Sequence, residues 1–168
     1  MPKTVLRFVG WAITGLFFGL FEATAATFLP GVWGAFHPTF ALAIFLLIRN
    51  APRNAAVFVI FAGIATDIFS VGTGTFATAR DVLILAALAF VANTALTNHS
   101  LYVAIALVVL MRLLDSVTAL AFGAGPSLNV LLERAALDIL LVTFLFVSHL
   151  LFSRRFFSVQ SNPSIRYG

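Results

Sequence analysis

Six apolar stretches divide this chain, and all but the fourth are closed by glycine, proline or a pair of basic residues. They cover about 5–28, 32–48, 55–69, 76–96, 101–122 and 130–152. A helix needs roughly 20 apolar residues to cross the hydrocarbon of a bilayer, about 30 Å thick. Backbone in lipid must satisfy its own hydrogen bonds, so consecutive apolar runs of this length fold as helices packed on one another. The expected fold is therefore all-α, a polytopic membrane helical bundle of about six transmembrane helices. Two stretches are short. Pro38 near the start of the second is expected to divide it into a loop and a half-span.

Composition excludes the water-soluble alternative. Of 168 residues, 61% are hydrophobic and 10% are charged, whereas soluble domains carry about 25% charged residues. The surface therefore needs lipid as its main partner. The absence of cysteine rules out disulfides and thiolate metal sites. The net charge of +4 comes from basic pairs between the apolar runs, not from a basic face interleaved with aromatics, so no nucleic-acid partner is expected. Lys3 and Arg7 followed by Ala23-Thr24-Ala25-Ala26 have the outline of a cleavable signal. Glu22 interrupts the run, which is longer than a usual signal core, and the segment reads as a retained first helix. Residues 1–157 form one transmembrane domain in this reading, and 158–168 a short cytoplasmic tail.

The basic residues orient the bundle. Lys3, Arg7, Arg49, Arg53, Arg154, Arg155 and Arg166 fall on one side of a six-span arrangement, and the opposite loops, 29–37, 70–75 and 123–129, carry no Lys or Arg. Positive charge stays inside, which places both termini in the cytoplasm. The Asn98-His99-Ser100 sequon then lies inside as well and is discounted.

The acidic residues, Glu22, Asp67, Asp81, Asp115, Glu133 and Asp138, all lie within or against apolar runs, as do Arg80, Arg112 and Arg134. Charge at the bilayer centre costs about 2.5–3.5 kcal/mol or more per residue, so these groups must face the bundle, water or one another. Their positions along alternating helices collect them toward the outer leaflet. Arg112 with Asp115 and Arg134 with Asp138 have the spacing of same-face helical pairs. One buried cluster of Arg112, Asp115, Asp67 and at least one charge of the sixth helix is expected. Glu22 shares a face with Gly15 and Gly19, which points it inward. Two readings stand side by side: a structural ion-pair layer, or a site for a ligand, ion or partner formed from Glu22, Asp67, Arg80, Asp81, Arg112, Asp115, Arg134 and Asp138.

Other signals are bland. The glycines at 72 and 74 lack the lysine of a phosphate loop. His37, His99 and His149 are scattered, and no metal, cofactor or nucleophile–base arrangement is legible. A non-catalytic protein is expected.

The run Gly63-Ile64-Ala65-Thr66-Asp67-Ile68-Phe69-Ser70-Val71-Gly72 resembles the Gly-x-x-x-Asp-x-x-Ser-x-Gly stretch of the rod shape-determining protein MreD family. The flanking pattern is similar: a first helix ending at Leu29-Pro30, Pro38 opening a short second helix, and a basic turn from Arg49 to Arg53. The detailed likeness covers residues 29–85. Thr73-Gly74-Thr75-Phe76 and Thr39 depart from the family's usual residues at their places. The resemblance implies a bacterial inner-membrane component of the cell-elongation and peptidoglycan machinery, partnered by an MreC-like protein and peptidoglycan synthases. It also implies a fold like that of the substrate-capture subunits of energy-coupling-factor transporters. That likeness supplies the alternative, a small-molecule capture subunit of a membrane transporter.

Overall fold

The structure, a computed structural model, describes residues 2–28, 37–69, 77–94, 100–121 and 127–160. The described residues form six α-helices and no strand: α1 Lys3–Phe28, α2 Pro38–Ile48, α3 Pro52–Phe69, α4 Ala77–Thr94, α5 Leu101–Ala121 and α6 Leu128–Gln160. Most of the expected loops at 29–37, 70–75 and 123–129, and most of the expected tail, lie outside the described residues. α6 runs on to Gln160, past the boundary at 157 drawn from the sequence.

Local chemistry sets the helix ends. Pro38 occupies the first position of α2, where a missing N–H costs nothing, so the apolar run that precedes it does not continue this helix. At the other end, Asn50 adopts a left-handed φ of 54°. Its amide donates to the Leu47 carbonyl at 3.0 Å, and the Ala51 amide donates to the Leu46 carbonyl at 3.0 Å. This is a Schellman cap, with asparagine in the place usually taken by glycine. Pro52 opens α3 immediately afterwards, and the Ala51 carbonyl accepts from Asn54 and Ala55. The two helices are thus joined by a tight reversal that begins α3 three residues earlier than the hydrophobic pattern implies.

α2 is the axis of the fold. It packs against all five other helices, and α1, α3, α4, α5 and α6 follow one another around it. Among the described residues α1 and α6 do not touch, so this outer ring stays open between them. Nine of the eleven residues of α2 are buried. Phe40, Ile44 and Leu47 of α2 meet Phe58 and Val59 of α3, Leu88 of α4, Leu107 and Met111 of α5 and Val142 of α6 in a single core. The outer faces are equally apolar. Leu6, Ile13 and Phe17 of α1, Leu83 and Phe90 of α4, Leu113 and Leu120 of α5, and Leu140 and Phe144 of α6 are all exposed. Exposed apolar surface on this scale is unsuited to water.

Among the described residues, four helical segments are long and apolar enough to cross a membrane: Lys3–Ala25, Pro52–Phe69, Ala77–Thr94 and Leu101–Leu120. α2 is not, since eleven residues extend only about 16 Å. Being enclosed by other helices, it has no need to be.

α1 and α3 approach at backbone distance. A Cβ on Gly19 would collide with the Ala62 carbonyl, and one on Gly15 with the Phe58 carbonyl. The glycine pair therefore serves packing inside the chain, as small residues do between membrane helices. Gly10, on the same helix, has nothing within 4 Å of a Cβ placed there. Gly19→Ala should lower the yield of folded protein and its thermal midpoint, with overpacking of about 1–3 kcal/mol. Gly10→Ala should leave both unchanged or slightly raised, by up to about 1 kcal/mol of helix propensity. Size-exclusion profiles and melting curves of the two variants in one detergent make the comparison. Equal loss in both would exclude the α1–α3 contact as the cause.

Candidate functional site: a buried ion-pair network

The N-terminal turn of a helix leaves backbone amides without partners. In α2 that turn lies inside the bundle, and Glu22 of α1 serves it. Glu22 Oε1 accepts from the Thr39 amide at 2.8 Å, while Oε2 lies 3.5 Å from Nδ1 of His37, an ion pair whenever the imidazole is protonated. A carboxylate at a helix N-terminus is also favoured by the helix dipole.

Behind this pair a chain of charges crosses three helices. Arg80 of α4 donates from Nε to Asp81 Oδ1 at 3.0 Å and reaches Asp115 of α5 from Nη1 at 3.5 Å. Asp115 Oδ2 lies 3.6 Å from Arg112 Nη1, one turn away on α5. Arg112 Nε donates to Asp138 Oδ2 of α6 at 2.6 Å, and Nη2 approaches the same oxygen to 2.5 Å. Signs alternate along the whole series, Asp81, Arg80, Asp115, Arg112, Asp138. Arg112 is 2% exposed and Asp138 0%, which makes this end of the chain the costly one to disturb, because buried ions depend on their partners. The Glu22–His37 pair is close enough to interact electrostatically with Arg112 and Asp138, so the two groups form one polar centre.

The structure brings together most of the residues read from the sequence and sorts them differently. Glu22, Arg80, Asp81, Arg112, Asp115 and Asp138 join as described. Arg134 does not pair with Asp138, although they are four apart. Arg112 holds that carboxylate, and a cation preceding an anion is the weaker order on a helix. Arg134 lies at the edge, within electrostatic range of Arg112, Asp115 and Asp138. Glu133 is exposed.

Asp67 forms no ion pair with the cluster expected of it, although Arg80 lies within electrostatic range. It caps α4: Oδ1 accepts from the Ala77 amide at 2.7 Å, and Oδ2 from the Thr78 amide at 3.1 Å and the Thr78 hydroxyl at 2.6 Å. Gly63, one turn earlier, lets Thr78 come close, since a Cβ there would stand 2.6 Å from the Thr78 Cα. The spacing Gly63-x-x-x-Asp67 thus places two residues of one helical face on a single residue of α4.

His37 and Thr39 were not singled out from the sequence. The signal was present in Pro38, because a proline that starts a helix among apolar neighbours leaves the next amides seeking an acceptor. Among the described residues no group of three or more His, Asp or Glu side chains is placed to hold a metal ion. No family of known proteins, no characterised protein and no solved structure matches the chain.

Arg112→Met strands Asp138 and should cost about 3–5 kcal/mol, the usual loss when one member of a buried pair is removed. Arg112→Met combined with Asp138→Leu removes both charges and should recover a substantial part of that loss. Folded yield and melting temperature of the two variants test this. A double variant no better than the single would show that the pair is not coupled.

Proposed function

We propose that this chain is a six-span, non-catalytic component of the bacterial inner membrane, of MreD type, which takes part in assembling the cell-elongation and peptidoglycan machinery. The observation that carries the reading is the convergence of Gly63 and Asp67 on Thr78. These residues belong to the stretch that resembles the MreD family, and their geometry gives its spacing a physical purpose at the α3–α4 corner. The charged interior supports a non-catalytic role. Each side chain from Asp81 to Asp138 is held by an opposite charge, which favours the apolar helix faces and the helix ends as the surfaces for partners.

The arrangement of charge supports an inside and an outside. Lys3, Arg7, Arg49 and Arg53 are all exposed, at the starts of α1 and α3 and the end of α2. The polar centre gathers around the other end of α2. Positive residues at one end favour placing that end in the cytoplasm, and both termini with it. α1 is the surface best suited to a partner helix. Gly15 and Gly19 are already used by α3, which leaves Gly10 as the small residue with open space.

Depletion of this protein in its own rod-shaped host should produce rounded, osmotically fragile cells, and its gentle purification should recover an MreC-like protein. Rods that persist through depletion would sink the reading. Recovery of a tightly bound small organic molecule in place of a protein partner would favour the transporter-capture alternative. Topology is tested separately. Reporter fusions at Ala51 and after Arg166 should read cytoplasmic, and fusions at Gly34, Gly74 and Gly125 external. A cytoplasmic signal at Gly125 would remove the six-span arrangement.

A further inference from the structure

Within α2 only Leu42 and Phe45 are half-buried, and the other residues are buried. Among the described residues the ring of helices around α2 is open only between α1 and α6, so that seam is where these two side chains come into view. Their neighbours agree. The Thr39 amide faces Glu22 of α1, and the Phe45 ring meets His149 of α6 at a centroid distance of 6.0 Å. Leu42 falls between Thr39 and Phe45 around the helix. Arg49, one turn beyond Phe45, continues the same face and is exposed. Arg7 stands at the same level. Gly15 of α1 meets Phe58 of α3, and Gly19 meets Ala62. The two helices therefore run in the same direction, and the same offset sets Arg7 level with Asn50, next to Arg49. α1 and α2 are in contact, and packed helices lie about 8–10 Å apart, a gap that two extended guanidinium side chains span. Lys3 is one turn further out. Lys3, Arg7 and Arg49 are exposed and form no ion pair among the described residues. The chain has six acidic residues, and all six are elsewhere. Glu22, Asp81, Asp115 and Asp138 belong to the polar centre, Asp67 caps α4, and Glu133 lies in the first turns of α6. Residues 161–168 add Arg166 and no acid, so no segment of this chain offers the basic end an anion.

We infer that the seam between α1 and α6 holds an anionic phospholipid, with one acyl chain along Leu42 and Phe45 and its phosphate among Lys3, Arg7 and Arg49. Width favours a lipid over a partner helix. A helix is about 10–12 Å across with its side chains, and a groove that seats one would leave its floor exposed. Leu42 and Phe45 are instead half-covered by their flanks, which leaves a slot suited to a slimmer hydrocarbon chain. Length fits as well. α2 extends about 16 Å, close to one leaflet of a hydrocarbon core about 30 Å thick. A chain lying along it reaches from the level of the headgroup to the mid-plane. Charge selects the headgroup, because each basic residue near a bilayer surface favours anionic lipid about fivefold. The inference does not rest on the cell-elongation reading and needs only that the bundle sits in a bilayer.

The test adds lipid to the full chain in detergent and follows binding by native mass spectrometry. The probes are dioleoylphosphatidylglycerol, dioleoylphosphatidylcholine, which has the same chains on a zwitterionic headgroup, and glycerophosphoglycerol, the anionic headgroup without chains. The first should bind at least about tenfold more tightly than either of the others. Arg7→Gln combined with Arg49→Gln should weaken it by about fivefold or more. Arg53→Gln removes the same charge at the start of α3, which α1 separates from the seam, and should change the affinity by less than about twofold. These arginines are exposed, so their variants should fold. Leu42→Trp, checked for folding by its elution profile, narrows the slot at unchanged charge and should also weaken binding. Equal affinity for the two lipids, equal binding of the headgroup alone, or an equal loss in Arg53→Gln and in the Arg7 and Arg49 double variant would each overturn the proposal. So would a folded Leu42→Trp that binds as the unaltered protein does, or a dimer that excludes the lipid. None of these readouts depends on cell shape or on recovery of a protein partner.

Discussion

The Thr39 amide donates to the Glu22 carboxylate at 2.8 Å, and the rest of the bundle is arranged around the need for that bond. A helix of eleven residues leaves one end inside the fold. Its first amides are then removed from water and have no partner within the helix. An unsatisfied amide in such a place costs several kcal/mol in lipid. Glu22 supplies the acceptor, and its charge suits the positive end of the helix dipole. Because Glu22 must reach α2, α1 must lie close, and it lies close because Gly15 and Gly19 let it settle on the backbone of α3. A feature of one helix end therefore determines how two other helices pack.

Placing the short helix at the centre resolves a second difficulty. α2 is too brief to present a spanning surface to lipid, but its neighbours enclose it, so its apolar residues become the core. Phe40, Ile44 and Leu47 face helices on every side. The cost of this plan is a polar helix terminus at the centre of an apolar bundle. Arg80 and Asp81 of α4, Arg112 and Asp115 of α5 and Asp138 of α6 collect around that terminus, where each finds an opposite partner. Arg112 stands between Asp115 and Asp138, and its burial makes it the group whose loss would strand the most charge.

The corner between α3 and α4 is built by other means. Asp67 satisfies two amides and a hydroxyl at the start of α4, and Gly63 removes the atom that would hold Thr78 away. Both act on one residue because they lie four apart on one face. A motif readable as a family resemblance is thus also a compact device for joining two helices. Its carboxylate is spent on capping, not on the charge network that the other acidic residues share.

Much of this was already determined by the sequence. The length and spacing of the apolar runs dictated helices, because 61% hydrophobic residues with 10% charged leave too little polar surface for a water-soluble fold. Pro38 marked a helix start through the dihedral and hydrogen-bond limits of proline, and the basic turn from Arg49 to Arg53 marked the break after the second helix. Inward-facing charge followed from the cost of exposing it to lipid. Partner choice did not follow. Arg134 and Asp138 have the spacing of a pair, yet Asp138 belongs to Arg112, 26 residues away. Asp67 has the depth of a cluster member, yet it caps α4. The assignment of α2 to the centre, and with it the importance of His37 and Thr39, also came only with the tertiary structure. Helical periodicity specifies which face a residue occupies, whereas the neighbour across that face depends on how six helices pack together, and no local pattern in the chain encodes that.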